Sequence, residues 1–226
     1  MAHTGIQIYC RRPSLGEVDA LLSMGVEFVG WHVRPQDGDA LTQARQIAEL
    51  VASRGATSSL LVHSRKVEVL RAIADMVRPD FLLMSSDRDD REMELLARSV
   101  APHARLMMSV PVPPAGSTAK IESQRLADEY ATYAGCLILD TCPDPVAIRQ
   151  FGCTGIVNDW ELGAKIVEGS HIPVILAGGL NSHNVADAIR RVRPHAVDAC
   201  TSLEFFDRSK DLARCRAFVA VVRSAT

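Results

Sequence analysis

Short apolar runs alternate along this chain with longer stretches in which apolar positions recur every three or four residues. The first pattern predicts β-strands and the second amphipathic helices. Strands are expected at 6–10, 26–33, 58–62, 80–84, 105–110, 136–139, 172–177 and from 196 onward. Helices are expected at 18–24, 41–53, 67–77, 92–100, 121–133 and 212–222, with two more starting near 158–160 and at 182. Ser14 and Asn181 stand where helix caps belong. Eight strand–helix repeats imply parallel strands joined by right-handed crossovers. The count favours an α/β fold of one closed (β/α)8 TIM barrel over an open doubly wound sheet. No linker or shift in composition divides residues 1–226, so a single barrel domain is expected. In such a barrel the chemistry lies at the C-terminal ends of the strands.

One of these strand ends carries the sharpest local signal. The apolar run 172–177 leads into Gly178-Gly179-Leu180-Asn181. Two glycines let backbone N–H groups approach a ligand closely. The neighbouring strand ends in Val197-Asp198-Ala199-Cys200-Thr201-Ser202, which delivers small hydroxyl side chains. Adjacent strand ends of this kind form the phosphate site after strands seven and eight of a barrel. Gly178, Gly179, Thr201 and Ser202 are its candidate residues, with Gly155 from the loop motif Gly152-Cys153-Thr154-Gly155.

Other strand ends offer reactive groups. Cys10 closes strand one and is followed by Arg11 and Arg12, cations that favour a thiolate base or nucleophile. The alternative is a buried structural thiol. Asp140 closes strand six, where an apolar mouth raises a carboxyl pKa and suits a general acid. Its alternative is a loop cap bonding Thr141 or later backbone N–H groups. His32 and His63 are candidate proton shuttles and Arg34 a candidate carboxylate clamp; satisfied histidines and a solvated rim charge are the alternatives. Glu204 is expected to pair with the backbone or a basic neighbour. The Gly-containing loop 141–155 stands at this rim, where a loop could close over substrate; the sequence does not tell whether it is a mobile lid.

Composition narrows the partners. The 226 residues are 47% hydrophobic and 23% charged, which suits one well-filled core. A net charge of -2 argues against nucleic acid or an anionic membrane as partner. No apolar run approaches the ~20 residues of a membrane span. The start Met1-Ala2-His3-Thr4-Gly5 has no basic-then-apolar leader, so a cytoplasmic location is expected. The six cysteines form no CxxC pair and read as reduced thiols. No residues stand at metal-ligand spacing, and no G-x-G-x-x-G occurs, so neither metal nor cofactor is expected. The composition sets no oligomeric state.

Taken in order, these motifs resemble the phosphoribosylanthranilate isomerase family of tryptophan biosynthesis. Its Lys-Ile-Cys-Gly is matched at the cysteine by Cys10, with gap-free spacing to Gly25 and Gly30. Its Leu-Leu-Asp-Thr is similar to Leu137-Ile138-Leu139-Asp140-Thr141. Its Gly-Gly-[Ser/Thr]-Gly…Phe-Asp-Trp resembles Gly152-Cys153-Thr154-Gly155…Asn158-Asp159-Trp160. Its [Ser/Ala]-Gly-Gly-Leu…Asn-Val matches Ala177-Gly178-Gly179-Leu180 and Asn184-Val185. Its Val-Asp-Val-Ser-Ser-Gly-Val-Glu resembles residues 197–204.

The resemblance implies an Amadori rearrangement of an aminoaldose phosphate to an aminoketose. Carried over, Asp140 is the general acid at the furanose ring oxygen, and Cys10 is the general base that takes the C2 proton. The implied partner is a small phosphosugar substrate. The family's lysine and glycine beside the cysteine are Ile8 and Arg11 here, and its strand-eight glycine is Ser202. Its Gln-Leu-His-Gly reads Leu83-Met84-Ser85-Ser86, and its carboxylate-binding arginine is Asp39. The phosphate end is kept while the aromatic-acid end is rebuilt, with Arg11, Arg12 or Arg34 as substitute clamps. Two alternatives follow from the rebuilt end: an isomerase of another phosphosugar or aminosugar phosphate, and a non-catalytic phosphosugar-binding barrel.

Overall fold

The computed structural model describes residues 3–85, 90–144 and 152–225. The chain alternates β1 (Gly5–Cys10), α1 (Leu15–Ser23), β2 (Phe28–Val33), α2 (Gly38–Ser53), β3 (Thr57–Val62), α3 (Val67–Val77), β4 (Phe81–Met84) and α4 (Asp90–Val100). It continues through β5 (Arg105–Val112), α5 (Ser123–Tyr130), β6 (Cys136–Thr141), α6 (Trp160–Gly169), β7 (Val174–Leu176), α7 (Val185–Val192), β8 (Ala196–Ala199) and α8 (Leu212–Ala225). The strands pair in chain order, all parallel, and β1 closes the barrel on β8. This is the expected eight-stranded architecture. Residues 145–151 of the loop 141–155 lie outside the described residues.

Local chemistry sets the helix starts. Ser14 Oγ accepts from the Glu17 N–H at 3.1 Å and opens α1. Asp37 does the same for α2 through Ala40, and Asp159 for α6 through Glu161 and Leu162. The seventh helix starts three residues later than expected. Asn181 Oδ1 accepts from the His183 N–H, and Asn184 Oδ1 accepts from the Asn181 N–H, so a side-chain-locked turn precedes α7.

Two hydrophobic layers result from the two-residue period of the strands. Ile6, Ile8 and Cys10 of β1 belong to the outer layer, with Leu21 of α1 and Phe218 of α8. Tyr9, Phe81, Leu83, Met107, Cys136 and Ile138 belong to the inner layer that fills the barrel. Even-numbered residues of β1 therefore face the helices, and odd-numbered ones face the barrel axis. The inner layer leaves an open mouth at the C-terminal ends of the strands.

Candidate active site

A cavity of about 1100 Å³ occupies that mouth. One wall carries Asp140, Gly178, Gly179, Thr201 and Ser202; the opposite wall carries His32, Arg34 and His63. The structure thus brings together every expected site residue except Cys10. Gly155 and Arg11 also reach the cavity.

The corner between β7 and β8 is built for an anion. Gly178 and Gly179 have φ of +85° and +63°, a region that L side chains seldom enter. A side chain at Gly179 would lie 2.6–2.8 Å from the backbone of Ile156 and Val157; one at Gly178 would run into Thr141 Oγ1 and Asn158. Both conformation and space demand glycine. Thr201 begins a single 3-10 turn, Thr201–Leu203. Ser202 Oγ donates to Leu180 O at 2.6 Å, and Thr201 Oγ1 donates to Cys153 O at 3.2 Å. These bonds tie the two strand ends and the loop after β6 into one unit. No protein acceptor takes the N–H of Gly179, Leu180, Thr201 or Ser202 among the described residues. Backbone donors left open beside one another form an anion site.

Asp140 sits beside this corner. Burial pushes its carboxyl up to about 6, against the pull of the Thr141 N–H, which donates to Oδ1 at 2.7 Å. Gly152 packs directly on the other carboxylate oxygen. A proton held near neutral pH at an apolar mouth is what a general acid requires. Asp198 lies deeper, 6% exposed, and burial together with Asp140 raises it to about 7. In the sequence Asp198 stands out only as part of the motif Val197–Ser202. Its signal was parity: on β8 it shares the inward face with Ala196 and Cys200.

Cys10 does not belong to this group. Its side chain is fully buried in the outer layer, with the thiol donating to Ile8 O at 3.9 Å. Burial raises its pKa far above the ordinary thiol value, and the neighbouring Glu17 and Cys215 add to that. The expected thiolate at the end of strand one is therefore corrected to a structural thiol. Gap-free spacing preserves residue number but not strand face, and an offset of one residue exchanges inside for outside. Tyr9 is the inward residue, its hydroxyl 3.4 Å from His32 Nδ1.

Arg11 reaches the cavity wall, yet its guanidinium is engaged. Nε donates to both carboxylate oxygens of Glu204 at 3.1 and 3.0 Å, and Nη2 makes a further short bond. Lys210, fully buried, donates to Glu204 at 3.2 Å and to Cys200 O at 3.0 Å. Burial works against the Glu204 carboxylate, but Arg11 and Lys210 hold it below the ordinary range. Glu204 pairs with basic neighbours as expected, and this removes Arg11 as a free carboxylate clamp.

The other wall is cationic and aromatic. His32 and His63 meet edge to face at 5.1 Å between ring centroids. Burial lowers both pKa values, His63 and Arg34 lower that of His32 further, and Arg34 lowers that of His63. Both rings are thus neutral imidazoles at neutral pH. Arg34 is exposed and pairs with no carboxylate among the described residues. Asp39, which stands in the sequence where a clamp arginine was sought, lies exposed in the first turn of α2 and does not line the main cavity.

Among the described residues, no group of three His, Cys, Asp or Glu side chains is placed to hold a metal ion. No helix there is long and apolar enough to cross a membrane.

Fold and site together define a (β/α)8 barrel with a corner of open backbone donors between β7 and β8 and a part-buried carboxyl beside it. Comparison with known proteins makes this more specific. The family model for N-(5'-phosphoribosyl)anthranilate isomerase matches residues 100–221. The N-(5'-phosphoribosyl)anthranilate isomerase of Methanothrix thermoacetophila is 33% identical over 211 residues, covering 92% of this chain and 93% of that protein. The enzyme of that name from Pseudomonas fluorescens is 34% identical over 206 residues, covering 90% and 91%. The crystal structure of phosphoribosyl anthranilate isomerase from Thermotoga maritima superposes with a TM-score of 0.78 at 22% identity, covering 98% and 99%. A phosphoribosyl anthranilate isomerase in complex with reduced 1-(o-carboxyphenylamino)-1-deoxyribulose 5-phosphate superposes with a TM-score of 0.75 at 20% identity, over 98% and 99% of the two chains. The chain belongs to the N-(5'-phosphoribosyl)anthranilate isomerase family.

Proposed function

We propose that this chain isomerises N-(5'-phosphoribosyl)anthranilate to 1-(o-carboxyphenylamino)-1-deoxyribulose 5-phosphate. One observation carries the reading: the part-buried Asp140 carboxyl and the open backbone donors of the β7–β8 corner line the same wall of one cavity. The phosphate binds at Gly178, Gly179, Thr201 and Ser202, with Gly155 at the rim. That anchoring fixes the sugar and supplies binding energy remote from the reacting carbons. Asp140 gives its proton to the ring oxygen as the bond from that oxygen to C1 breaks. The nitrogen lone pair forms the C=N bond of the open-chain iminium. A base then removes the C2 proton, the C2–H electrons become the C1=C2 bond, and the C=N electrons return to nitrogen. The resulting enolamine tautomerises to the aminoketose. No outside reductant or oxidant enters.

The anthranilate carboxylate faces Arg34, with the neutral His32 and His63 as hydrogen-bonding walls. This replaces the clamp that the sequence lacks at Asp39. The test is a fluorescence assay following the loss of phosphoribosylanthranilate generated in place. Turnover by the purified protein is the expected result. A folded protein that binds ribose 5-phosphate but shows no turnover would point to a different phosphosugar or to a binding role.

A further inference from the structure

The reaction needs a base for the C2 proton, and the strand-one thiol is on the wrong side of its strand. Resting on the function proposed above, we propose that Cys153, on the loop after β6, is the base that takes the C2 proton. Of the six cysteines, only Cys153 and Cys200 line the cavity. Cys200 is buried on the inner face of the barrel, and its thiol lies 3.3 Å from Glu204 Oε1. Cys153 is exposed to the cavity, with its sulfur 3.5 Å from that of Cys200.

Three independent features mark Cys153 as more than a chance surface thiol. It occupies a left-handed backbone conformation, φ +52°, between Gly152 at +99° and Gly155 at +72°. A non-glycine residue there is unusual and strained. Its carbonyl is held by Thr201 Oγ1, so the loop is tied to the phosphate corner, and its chain neighbour Gly152 packs on the Asp140 carboxylate. Acid, thiol and phosphate anchor are thereby joined through consecutive residues. Finally, Asp198, 6% exposed, lines the same cavity beside Gln7, and its Oδ1 makes no hydrogen bond within 3.5 Å among the described residues.

The electrostatics agree with this geometry. A hydrogen bond with the Cys200 thiol holds the Cys153 thiol below the ordinary value. Burial, Asp140 and Asp198 oppose the thiolate, and Arg11 favours it. The Tyr9 hydroxyl, itself pushed well up by burial, faces the same space as a neutral group. Cys200 is pushed strongly up by the same contact and by burial, so it keeps its proton, which it donates to Glu204 Oε1 at 3.3 Å. In the step itself, the Cys153 thiolate forms the new S–H bond as the C2–H bond breaks, and the thiol emerges neutral. Asp140, having given its proton to the ring oxygen, is then a carboxylate.

The test compares Cys153→Ser with Cys10→Ala in the phosphoribosylanthranilate assay, alongside iodoacetamide alkylation of Cys153 in the wild-type protein. Cys153→Ser is expected to lower kcat about 100- to 10,000-fold, the usual range for a lost acid–base group, with KM little changed. Cys10→Ala is expected to leave kcat within about threefold, in line with its place outside the cavity. Cys153 is expected to alkylate faster at pH 7 than free cysteine and to be protected by ribose 5-phosphate. An active wild type whose Cys153→Ser variant keeps full kcat would overturn the proposal. An inactive wild type would count against the proposed function instead. In that event slow, unprotected alkylation would overturn the assignment of Cys153 as well, while fast, protected alkylation would uphold it as the reactive thiol of the site.

Discussion

Replacing Asp140 by Asn should make the protein more stable while abolishing its turnover. The folded chain holds this carboxyl at about 6, because burial penalises the charged form more than the Thr141 N–H stabilises it. An unperturbed aspartate titrates near 4, and the difference corresponds to about 3 kcal/mol at neutral pH. The sign follows from which state ionises first. Below about pH 4 both folded and unfolded chains carry a proton at this site, and there is no penalty. Between about 4 and 6 the unfolded chain ionises first, so stability falls as pH rises; above about 6 the full penalty remains. Asparagine keeps the shape, and its Oδ1 can still accept from Thr141, but it never ionises. Desolvating the amide offsets part of the gain. Neutralising this site also relieves the like-charge repulsion that helps to raise Asp198. The net expectation is about 1–3 kcal/mol of added stability at pH 8 and almost none at pH 4. For a chain of this size each kcal/mol moves Tm by about 2–4 °C. Calorimetry at the two pH values reads the first claim, and the fluorescence assay reads a kcat loss of about 100-fold or more. A variant no more stable than wild type at pH 8, or equally stabilised at pH 4, would refute the burial argument. Retained kcat would remove Asp140 from the mechanism.

Further outcomes follow from the cavity walls. Gly179→Ala forces a left-handed alanine against the Ile156–Val157 backbone, so a loss of about 2–4 kcal/mol is expected in urea unfolding, together with weakened ribose 5-phosphate binding by calorimetric titration. Arg34→Ala should raise KM for phosphoribosylanthranilate about tenfold or more and leave ribose 5-phosphate affinity unchanged, because a charge-assisted bond to the carboxylate is lost and the phosphate corner is untouched. The kcat–pH profile should be a bell, since Asp140 must be protonated and Cys153 deprotonated; its two limbs belong to the coupled pair rather than to either residue.

The eight repeats, the paired-glycine turn after β7 and the strand-end position of Asp140 were readable along the chain for one reason: each rests on neighbours in sequence. Strand–helix alternation is a matter of local period, and it predicted α3 at 67–77 without error. Gly178-Gly179 carries its backbone freedom wherever the chain goes. Asp140 follows an apolar strand, and the end of a barrel strand is the mouth of the barrel. Helix α7 was misplaced by three residues because the Asn181 and Asn184 side chains bond backbone groups that a helix would otherwise use.

What tertiary structure alone decided is which groups meet. Whether Cys10 faces the cavity or the helices depends on the register of β1 against β2 and β8, which residue spacing along the chain does not encode. A closed barrel gives each strand only two faces, so this choice sent the thiol to the outer core and Tyr9 inward. Arg11 reads as a free cation in the sequence, yet Glu204, 193 positions away, occupies its guanidinium. Cys153 and Cys200, 47 residues apart, come within 3.5 Å because the loop after β6 folds across the end of β8. Local pattern was enough for the barrel, for the paired glycines after β7 and for the place of Asp140 at the mouth. Only the folded barrel, by assigning faces to strands and partners to charges, decided which thiol stands beside them.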